Sequence, residues 1–236
     1  MGMNGIDDDV VAKLQEGIKG FQDRFYRQDP ERMKDLAERG QRPKVLLIAC
    51  SDSRVDPAIL TGAAPGELFV IRNVANLVPP YQLASQYDGA RAAIEYAVRD
   101  LLVDHIIVLG HAHCGGIKAL LGSLSGHKLE RDFIGSWVSM ALDACFKFIL
   151  HPAGQNAAQT EALEVTEVDV GTLCEHQHLV ERAAIRGSLD NLATYPWIRE
   201  RLVAGELTLH GWWFDIETGD LWRTDHDNTA FLPVLD

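Results

Sequence analysis

The sequence predicts an α/β protein in which a mainly parallel central sheet, with a strand order beginning 2-1-3, is flanked by helices. Apolar runs at 44–49, 67–72 and 104–110 have the length and composition of buried strands. Helical patterns separate the later strands, which favours strand–helix–strand units and a parallel sheet. A helical connection from the second strand to the third can place strands one and three side by side, which gives the predicted order.

Two predicted helices precede the first strand and belong to no strand–helix–strand unit. The segment 10–26 carries apolar residues at helical spacing, and Asp29 is a suitable N-cap for a second helix at 30–38. We expect residues 1–40 to form a helical arm that packs on a partner subunit or on the edge of the sheet. Residues 41–236 are then a single α/β domain.

The rest of the chain alternates between helical and strand patterns. After a connector with one helical turn, further helices are expected at 82–101, 115–121, 132–150, 169–192 and 195–203. A strand at 207–216 followed by a turn and a second short strand predicts a hairpin. The stretch 151–161 has the weakest pattern, and the sequence assigns it no role.

The composition excludes several classes of function. The formal net charge is −12 and no basic stripe is visible, which argues against a nucleic-acid partner. Four widely spaced cysteines are too few for a disulfide scaffold and fit a reducing compartment. No apolar run is long enough for a membrane span, and the first residues lack a secretory pattern, so we expect a cytoplasmic protein.

Metal-ligand side chains follow two of the predicted strands. Cys50, Asp52 and Arg54 come directly after the first strand, whereas His111 and Cys114 come directly after the third. The predicted strand order brings both ends to one edge of the sheet, where open parallel sheets bind ligands. Thiolate and imidazole are ligands that zinc prefers, and three of them leave a fourth position open for water. We therefore predict one zinc ion per chain, held by Cys50, His111 and Cys114.

Each of these residues also has a purely structural interpretation. A cysteine that ends an apolar run, such as Cys50, is commonly a small buried hydrophobic residue. His113 should point away from His111 because side chains alternate in extended backbone. Cys174 and His178 form a rival pair that can share a helix face, but no strand end or glycine turn supports it.

The residues next to the predicted ligands indicate how the ligands are supported. Asp52 and Arg54 can lie on one side of their turn and form a charge-assisted pair. That pair is either a loop salt bridge or a second shell, in which Arg54 orients Asp52 and Asp52 accepts a proton at the metal. Gly115 and Gly116 are expected to let the backbone turn tightly after the last ligand.

On these motifs the sequence resembles the β-class carbonic anhydrases, which carry Cys-x-Asp-x-Arg followed by His-x-x-Cys-Gly-Gly. The resemblance extends over roughly 41–223, including segments such as Arg-Asn-Val-Ala-Asn and His-Gly-Trp. It implies an enzyme that hydrates carbon dioxide reversibly to bicarbonate and a proton. In that reaction a zinc-bound hydroxide attacks carbon dioxide, and the Asp52–Arg54 pair orients the hydroxide.

The plant-like branch of this family is the most similar, because a glutamine stands nine residues before the first ligand. The resemblance implies that Gln41 donates its amide to the substrate. It also implies that Phe69, Val74 and Tyr96 line the pocket and that Gly115 contributes backbone. In the family the glutamine and its neighbours come from the other subunit. We therefore expect a homodimer, or a dimer of dimers, with the active site at the interface.

Another branch of the family has an allosteric bicarbonate site that is marked by a tryptophan and a glycine before the first cysteine. Leu47 and Ala49 occupy those positions here, so we expect no such switch and expect water, not Asp52, as the fourth ligand. Arg99 and Asp100 stand where some plant-like members carry a proton-shuttle histidine. Two alternatives stay open: a carbon disulfide or carbonyl sulfide hydrolase on the same scaffold, and a non-catalytic bicarbonate sensor.

Overall fold

The computed structural model groups the chain into two compact units, Met1–Arg42 and Pro43–Asp236. The structure describes residues 7–83, 88–150, 170–228 and 230–234. Within these ranges no helix is both long enough and apolar enough to span a lipid bilayer.

The first unit is helical, as predicted. Helix α1 spans Asp7–Gln22 and continues as a π-helical turn over Asp23–Gln28, and helix α2 spans Pro30–Arg39. An apolar stripe of α1 is exposed, with 42% to 67% of each residue open to solvent at Val10, Val11, Leu14, Ile18 and Phe21. An exposed stripe of this length indicates a surface suited to a partner.

The second unit is built on one sheet of six strands within the described residues. The strands are β1 (Val45–Cys50), β2 (Leu68–Asn73), β3 (His105–His111), β4 (Thr208–Phe214), β5 (Leu221–Thr224) and β6 (Phe231–Pro233). Their order is β2-β1-β3-β4-β5-β6, with β1 to β4 parallel and the last two antiparallel. The predicted order and the predicted hairpin between β4 and β5 are confirmed, whereas the three-residue strand β6 was not predicted.

The helices of this unit pack around the sheet. They are α3 (Pro57–Thr61), α4 (Gly89–Glu95), α5 (Gly115–Leu124), α6 (Ile134–Val138), α7 (Met140–Cys145), α8 (Val170–Glu175), α9 (Gln177–Ala193) and α10 (Pro196–Val203). π-helical turns extend α4 over Tyr96–Asp100 and α7 over Phe146–Leu150.

Three predicted helices differ from the structure. The helix expected at 82–101 begins only at Gly89, because the Asp88 side chain accepts hydrogen bonds from the first free backbone amides. The helix expected at 132–150 is divided into pieces, and the one expected at 169–192 is interrupted at His176. The stretch 151–161 lies outside the described residues.

The two faces of the sheet are covered differently. The larger core lies on one face and includes Ile106, Val108 and Ile185 of helix α9. Helix α9 comes so close that a Cβ on Gly110 of β3 would lie 2.7 Å from Ile185 Cδ1, and Ile185 would have to move to accommodate it. The opposite face carries a smaller buried cluster of Leu47, Ala49, Ile107 and Leu109.

The strand register determines where the polar motifs meet. Ala49 of β1 pairs with Leu109 of β3, so Cys50 and His111 emerge at the same edge of the sheet. The chain leaves β1 for β2 on one side and returns to β3 on the other side. This is the switch point at which open parallel sheets bind ligands.

Candidate metal centre

The three predicted ligands converge at this edge. Cys50 ends β1, His111 ends β3, and Cys114 is the N-cap of α5. Their side chains are buried, and their ligand atoms all lie within 4.8 Å of one another. The two Sγ atoms are 3.9 Å apart, close to the separation of about 3.8 Å expected for two thiolates on one tetrahedral zinc.

The His111 ring is oriented for a metal. Its Nδ1 donates a hydrogen bond to the Ala112 carbonyl at 2.8 Å, which leaves the lone pair of Nε2 available. Nε2 is buried, and no residue in the described part of the chain hydrogen-bonds to it. Because an unpaired buried nitrogen is costly, and because two sulfur atoms face the same point, the donor set fits a zinc ion.

The pKa values of the two thiols are shifted in opposite directions. The Cys114 side chain hydrogen-bonds to the Cys50 sulfur, which lowers the pKa of Cys50 to about 4 against the opposing effect of burial. The same hydrogen bond, together with burial, raises the pKa of Cys114. A zinc ion held by Cys50 and Cys114 would bind both as thiolates, so the pair would be fully deprotonated when the metal is bound.

A strained turn supports the Cys50 sulfur from the side. Ala75 has a φ of 64° and Asn76 a φ of 48°, both in the left-handed region that non-glycine residues rarely adopt. The turn directs the Ala75 N–H to Cys50 Sγ at 3.4 Å. The Asn73 side chain bonds both backbone groups of Leu77, and this closes the turn.

Gly116 and Trp137 both contact the turn at Val74 and Ala75. A Cβ on Gly116 would lie 2.7 Å from Val74 Cγ1 and 2.9 Å from Ala75 Cβ, so glycine lets the turn contact helix α5. Trp137 Nε1 donates to the Val74 carbonyl at 2.7 Å. Glycine at position 116 therefore permits a close contact between helix α5 and the turn at Val74, which was not predicted.

The glycines do not make the tight turn that was predicted after the last ligand; a turn with positive φ lies instead between the last two ligands. His113 adopts a φ of 54°, whereas Gly115 and Gly116 are the first residues of helix α5. The His113 ring is exposed and bonds Glu217 at 2.7 Å. It stays outside the three-ligand group, as the alternation of side chains predicted.

The predicted Asp52–Arg54 pair is bidentate. Arg54 Nε donates to Asp52 Oδ1 at 2.9 Å, and Arg54 Nη2 donates to Asp52 Oδ2 at 2.7 Å. These hydrogen bonds hold the pKa of Asp52 well below its usual range. Asp52 Oδ2 lies 3.9 Å from His111 Nε2, at the border of the ligand group. Arg54 also donates to the His113 carbonyl at 3.1 Å, which joins the two ligand loops.

Arg72, at the end of β2, stabilises the first ligand loop, a role that sequence reasoning missed. It donates to the carbonyls of Cys50 at 3.1 Å and Asp52 at 2.6 Å, and to the Asp56 carboxylate at 3.0 Å. Asp56 in turn caps helix α3. The signals in the sequence were the position of Arg72 near the end of a neighbouring strand and its place at the start of the Arg-Asn-Val-Ala-Asn segment.

Helix α9 supplies a second support that sequence reasoning missed. Glu181 is buried, and its carboxylate accepts a hydrogen bond from the Cys114 backbone N–H at 2.9 Å. Gln177, one helical turn earlier, donates to the Cys114 carbonyl at 3.0 Å. The rival pair does not form: a helix break separates Cys174 from His178, and Cys174 is exposed, with its Sγ 3.6 Å from Ser125 Oγ.

The predicted substrate residues fall into two groups. Val74 lies in the turn beside Cys50, and Gly115 follows Cys114 directly. Phe69 and Tyr96 contact each other, with ring centroids 5.9 Å apart. Phe69 pairs with Leu46, four residues before Cys50 along the sheet, so it lies about 13 Å from the ligand end of its own subunit. Gln41 belongs to the first unit, and its role at the site stays a prediction.

Comparison with known proteins agrees with this site. The family model described as carbonic anhydrase matches residues 45–221, which include all three ligands. The chain is 36% identical over 220 residues to "Beta carbonic anhydrase 5, chloroplastic" of Arabidopsis thaliana, covering 92% of this chain and 66% of that protein. It is also 36% identical over 223 residues to a carbonic anhydrase of Synechococcus elongatus, covering 93% of this chain and 75% of that protein.

A solved structure resembles the whole fold. The β-carbonic anhydrase CcaA superposes with a TM-score of 0.77 at 33% sequence identity. The match covers 97% of this chain and 93% of that one. The chain thus spans nearly all of a solved relative, but only about two thirds of the length of the Arabidopsis protein.

Proposed function

This chain belongs to the β-class of the carbonic anhydrases, and we propose that it hydrates carbon dioxide reversibly to bicarbonate and a proton at the Cys50–His111–Cys114 centre. One observation supports the proposal above all others. Two thiols and an orphaned, correctly oriented imidazole nitrogen converge beside a carboxylate that an arginine holds ionised.

The three ligands hold one zinc ion in this proposal. Zinc bound there supplies Lewis acidity that makes water available as hydroxide near neutral pH. The protein fixes the geometry of the three ligands, because Cys50 and His111 are the last residues of strands and Cys114 is the N-cap of a helix. All three side chains are buried. The Ala75 N–H stabilises the negative charge on the Cys50 sulfur.

Asp52 acts as the proton acceptor and orienting group at this centre. Arg54 donates a hydrogen bond to each carboxylate oxygen of Asp52 and keeps Asp52 ionised. An ionised carboxylate accepts hydrogen bonds but cannot donate them, so it fixes which way the attacking water points. The side chain of Asp52 is only 16% exposed, which limits competition from bulk water.

The fourth position at the metal belongs to water in this proposal. Asp52 can become a ligand only by giving up its 2.7 Å bond to Arg54 and moving toward His111. Leu47 and Ala49, which replace the markers of the allosteric branch, are fully buried in an apolar cluster. These contacts favour a centre that stays open to substrate.

The site is completed by a second copy of the chain. Phe69 and Tyr96 form a contact pair far from their own ligand edge, so within one subunit Phe69 cannot line the pocket beside Cys50. A partner can bring Gln41, Phe69 and Tyr96 to the Val74 and Gly115 side of the centre. The exposed apolar stripe of helix α1 supports a homodimer or a dimer of dimers in which residues 1–40 pack on the partner.

The cytoplasm is the proposed location, because all four cysteines are free thiols and two of them must remain reduced to bind zinc. The two alternative functions have no observation in their favour. The ligands and the Asp52–Arg54 pair are all present, and the similar proteins are carbonic anhydrases by name.

The first test is stopped-flow hydration of carbon dioxide at pH 7 and pH 8.5 on protein of known zinc content, beside Asp52→Asn. We expect about one zinc per chain, activity at both pH values, and a loss of roughly 100-fold or more in the variant with zinc retained. Activity only at the higher pH means that Asp52 becomes a ligand. Full zinc without hydration at either pH contradicts the proposed reaction.

A complementation experiment tests the shared site. Asp52→Asn and Gln41→Ala chains are purified separately and also co-expressed with different tags, so that mixed oligomers can be isolated. If Gln41 serves the partner, each mixed dimer contains one site with both native residues, and activity returns. If Gln41 serves its own subunit, every site lacks one residue and the mixed oligomers stay as inactive as the parents.

A further inference from the structure

A buried carboxylate on helix α9 holds the backbone of one metal ligand. Glu181 is only 3% exposed, although acidic side chains are rarely buried. Its Oε1 accepts hydrogen bonds from the Cys114 N–H at 2.9 Å and from Gln177 Nε2 at 2.8 Å. Its Oε2 accepts one from Trp213 Nε1 at 3.1 Å.

Gln177 binds the other backbone polar group of the same residue, Cys114. Its Nε2 donates both to Glu181 and to the Cys114 carbonyl at 3.0 Å. Gln177 and Glu181 are four residues apart, so they lie on one face of helix α9. Together they bind the N–H and the C=O of Cys114, which leaves that residue little freedom to rotate.

We propose that Glu181 and Gln177 are positioning residues that fix Cys114 and thereby set the affinity of the metal centre. This inference rests on the proposed zinc site and extends it to two residues that touch no ligand atom. Groups behind a metal ligand orient it, and their loss commonly weakens metal binding by about 10- to 100-fold.

The chemistry at position 181 requires a carboxylate. All three groups that face it are donors: a backbone N–H, an amide NH₂ and an indole N–H. A glutamine there has one acceptor oxygen and one donor nitrogen. In one orientation the glutamine NH₂ group faces the indole N–H of Trp213. In the other orientation it faces the Cys114 N–H and the Gln177 amide, so a donor meets a donor in both cases. Glu181→Gln is therefore close to isosteric but disrupts the network.

The experiment compares zinc affinity in wild type, Glu181→Gln and Gln177→Ala by competition with a chromogenic chelator. Asn191→Leu is the matched control, because Asn191 is also a polar residue of α9 that bonds a backbone carbonyl, that of Val78. We expect the zinc dissociation constant to rise about 10- to 100-fold in Glu181→Gln and several-fold in Gln177→Ala. Asn191→Leu should keep the wild-type affinity.

Two further measurements separate positioning from general stability. The Co²⁺-substituted proteins should show an altered thiolate-to-metal absorption in Glu181→Gln, because Cys114 is displaced. Thermal unfolding in excess chelator reports the stability of the metal-free chains. A loss of stability in Glu181→Gln with wild-type zinc affinity and an unchanged cobalt spectrum overturns the inference.

Gln177→Ala keeps the test decisive if Glu181→Gln does not fold, because Gln177 is only half-buried at the helix start. Wild-type affinity in that variant then overturns the inference. The proposed function is judged separately on the wild-type chain, by its zinc content and its hydration activity. A wild-type chain that binds zinc and hydrates carbon dioxide, with equally tight zinc in both variants, rejects the positioning role alone.

Discussion

The two loops that carry the ligands end neighbouring parallel strands, but opposite chemistry holds them. The loop after β1 exposes carbonyl oxygens, and a cation, Arg72, donates to two of them. The loop after β3 presents the N–H and C=O of Cys114, and a buried carboxylate and an amide bind these groups. Each support matches the chemistry of the backbone groups that it contacts, since carbonyl oxygens accept hydrogen bonds and N–H groups donate them.

Arg72 and Glu181 also differ in how many residues separate each of them from the cysteine that it supports. Arg72 lies 22 residues from Cys50 and on an adjacent strand, whereas Glu181 lies 67 residues from Cys114 and on a helix. Arg72 is partly exposed, and Glu181 is buried. The comparison indicates that the first loop depends on local strand pairing and the second on the docking of helix α9.

Replacing Arg72 should have the largest effect, because it removes three hydrogen bonds from the loop that carries both a ligand and Asp52. We expect Arg72→Met to lower the free energy of unfolding by about 3 kcal/mol, since two carbonyls lose a charged donor. Hydration should fall about 100-fold, because Asp52 shifts relative to the metal. Urea unfolding and stopped-flow hydration measure the two effects.

Arg131→Met is the control for this change, since the Arg131 side chain is exposed and, among the described residues, hydrogen-bonds to the neighbouring Glu130 carbonyl. It should match wild type in both measurements. Arg72→Lys should restore only part of the loss, because one ammonium group cannot reach all three acceptors with the geometry of a guanidinium. Wild-type hydration in Arg72→Met means that strand pairing alone positions the first loop.

A methyl group at Gly116 should disturb the second loop and the turn beside Cys50 together. Its Cβ would overlap Val74 and Ala75, so we expect Gly116→Ala to cost about 2 kcal/mol of stability and to weaken zinc binding. Gly122→Ala in the same helix is the matched control, because nothing lies within 4 Å of a Cβ there. Equal zinc affinity in the two variants contradicts a role of this contact in supporting Cys50.

The sequence predicted the parts of this molecule that depend on local pattern. Alternating apolar runs and helices predicted the strand order 2-1-3, and the spacing of two residues along the turn predicted the Asp52–Arg54 pair. The Asp52–Arg54 pair is a short-range feature, in which neighbouring residues decide the outcome. The strand order joins segments about 60 residues apart, but it follows from the general rule for parallel strands that are connected by helices. The ligand set was equally accessible, because strand ends carry Cys50 and His111 to one edge.

The parts that were missed depend on contacts between distant segments. Nothing near Glu181 distinguishes a buried acceptor from a solvated helix residue, since its partners come from a loop and a strand far away in sequence. The break at His176 was also missed, and it starts α9 at Gln177, which faces Cys114. The tight turn was predicted at the glycines after Cys114, not at His113, because left-handed backbone usually favours glycine.

The smallest change in stability and hydration is expected for a substitution at the amino end of the sheet. This region serves as a reference for the two loops that carry the ligands. His210 on β4 lies 3.3 Å from His105 on β3, nitrogen to nitrogen. It pairs in register with Ile107, four residues before His111. Burial, and after it the charges of His105 and Arg223, lower the pKa of His210. His210→Gln should change stability at pH 7.5 by less than about 0.5 kcal/mol and leave hydration per bound zinc unchanged.

The pH dependence follows from the direction of that shift. Below pH of about 6.5 the unfolded chain protonates His210 more readily than the folded chain does, so the folded state loses stability as pH falls. His210→Gln has no such group and should lose less stability between pH 7.5 and pH 5.5 than wild type. Urea midpoints at the two pH values give the comparison, in which the metal ligands contribute equally to both proteins. A variant that loses as much stability as wild type shows that His210 is not the titrating group, and a variant with reduced hydration shows that the two ends of the sheet are coupled.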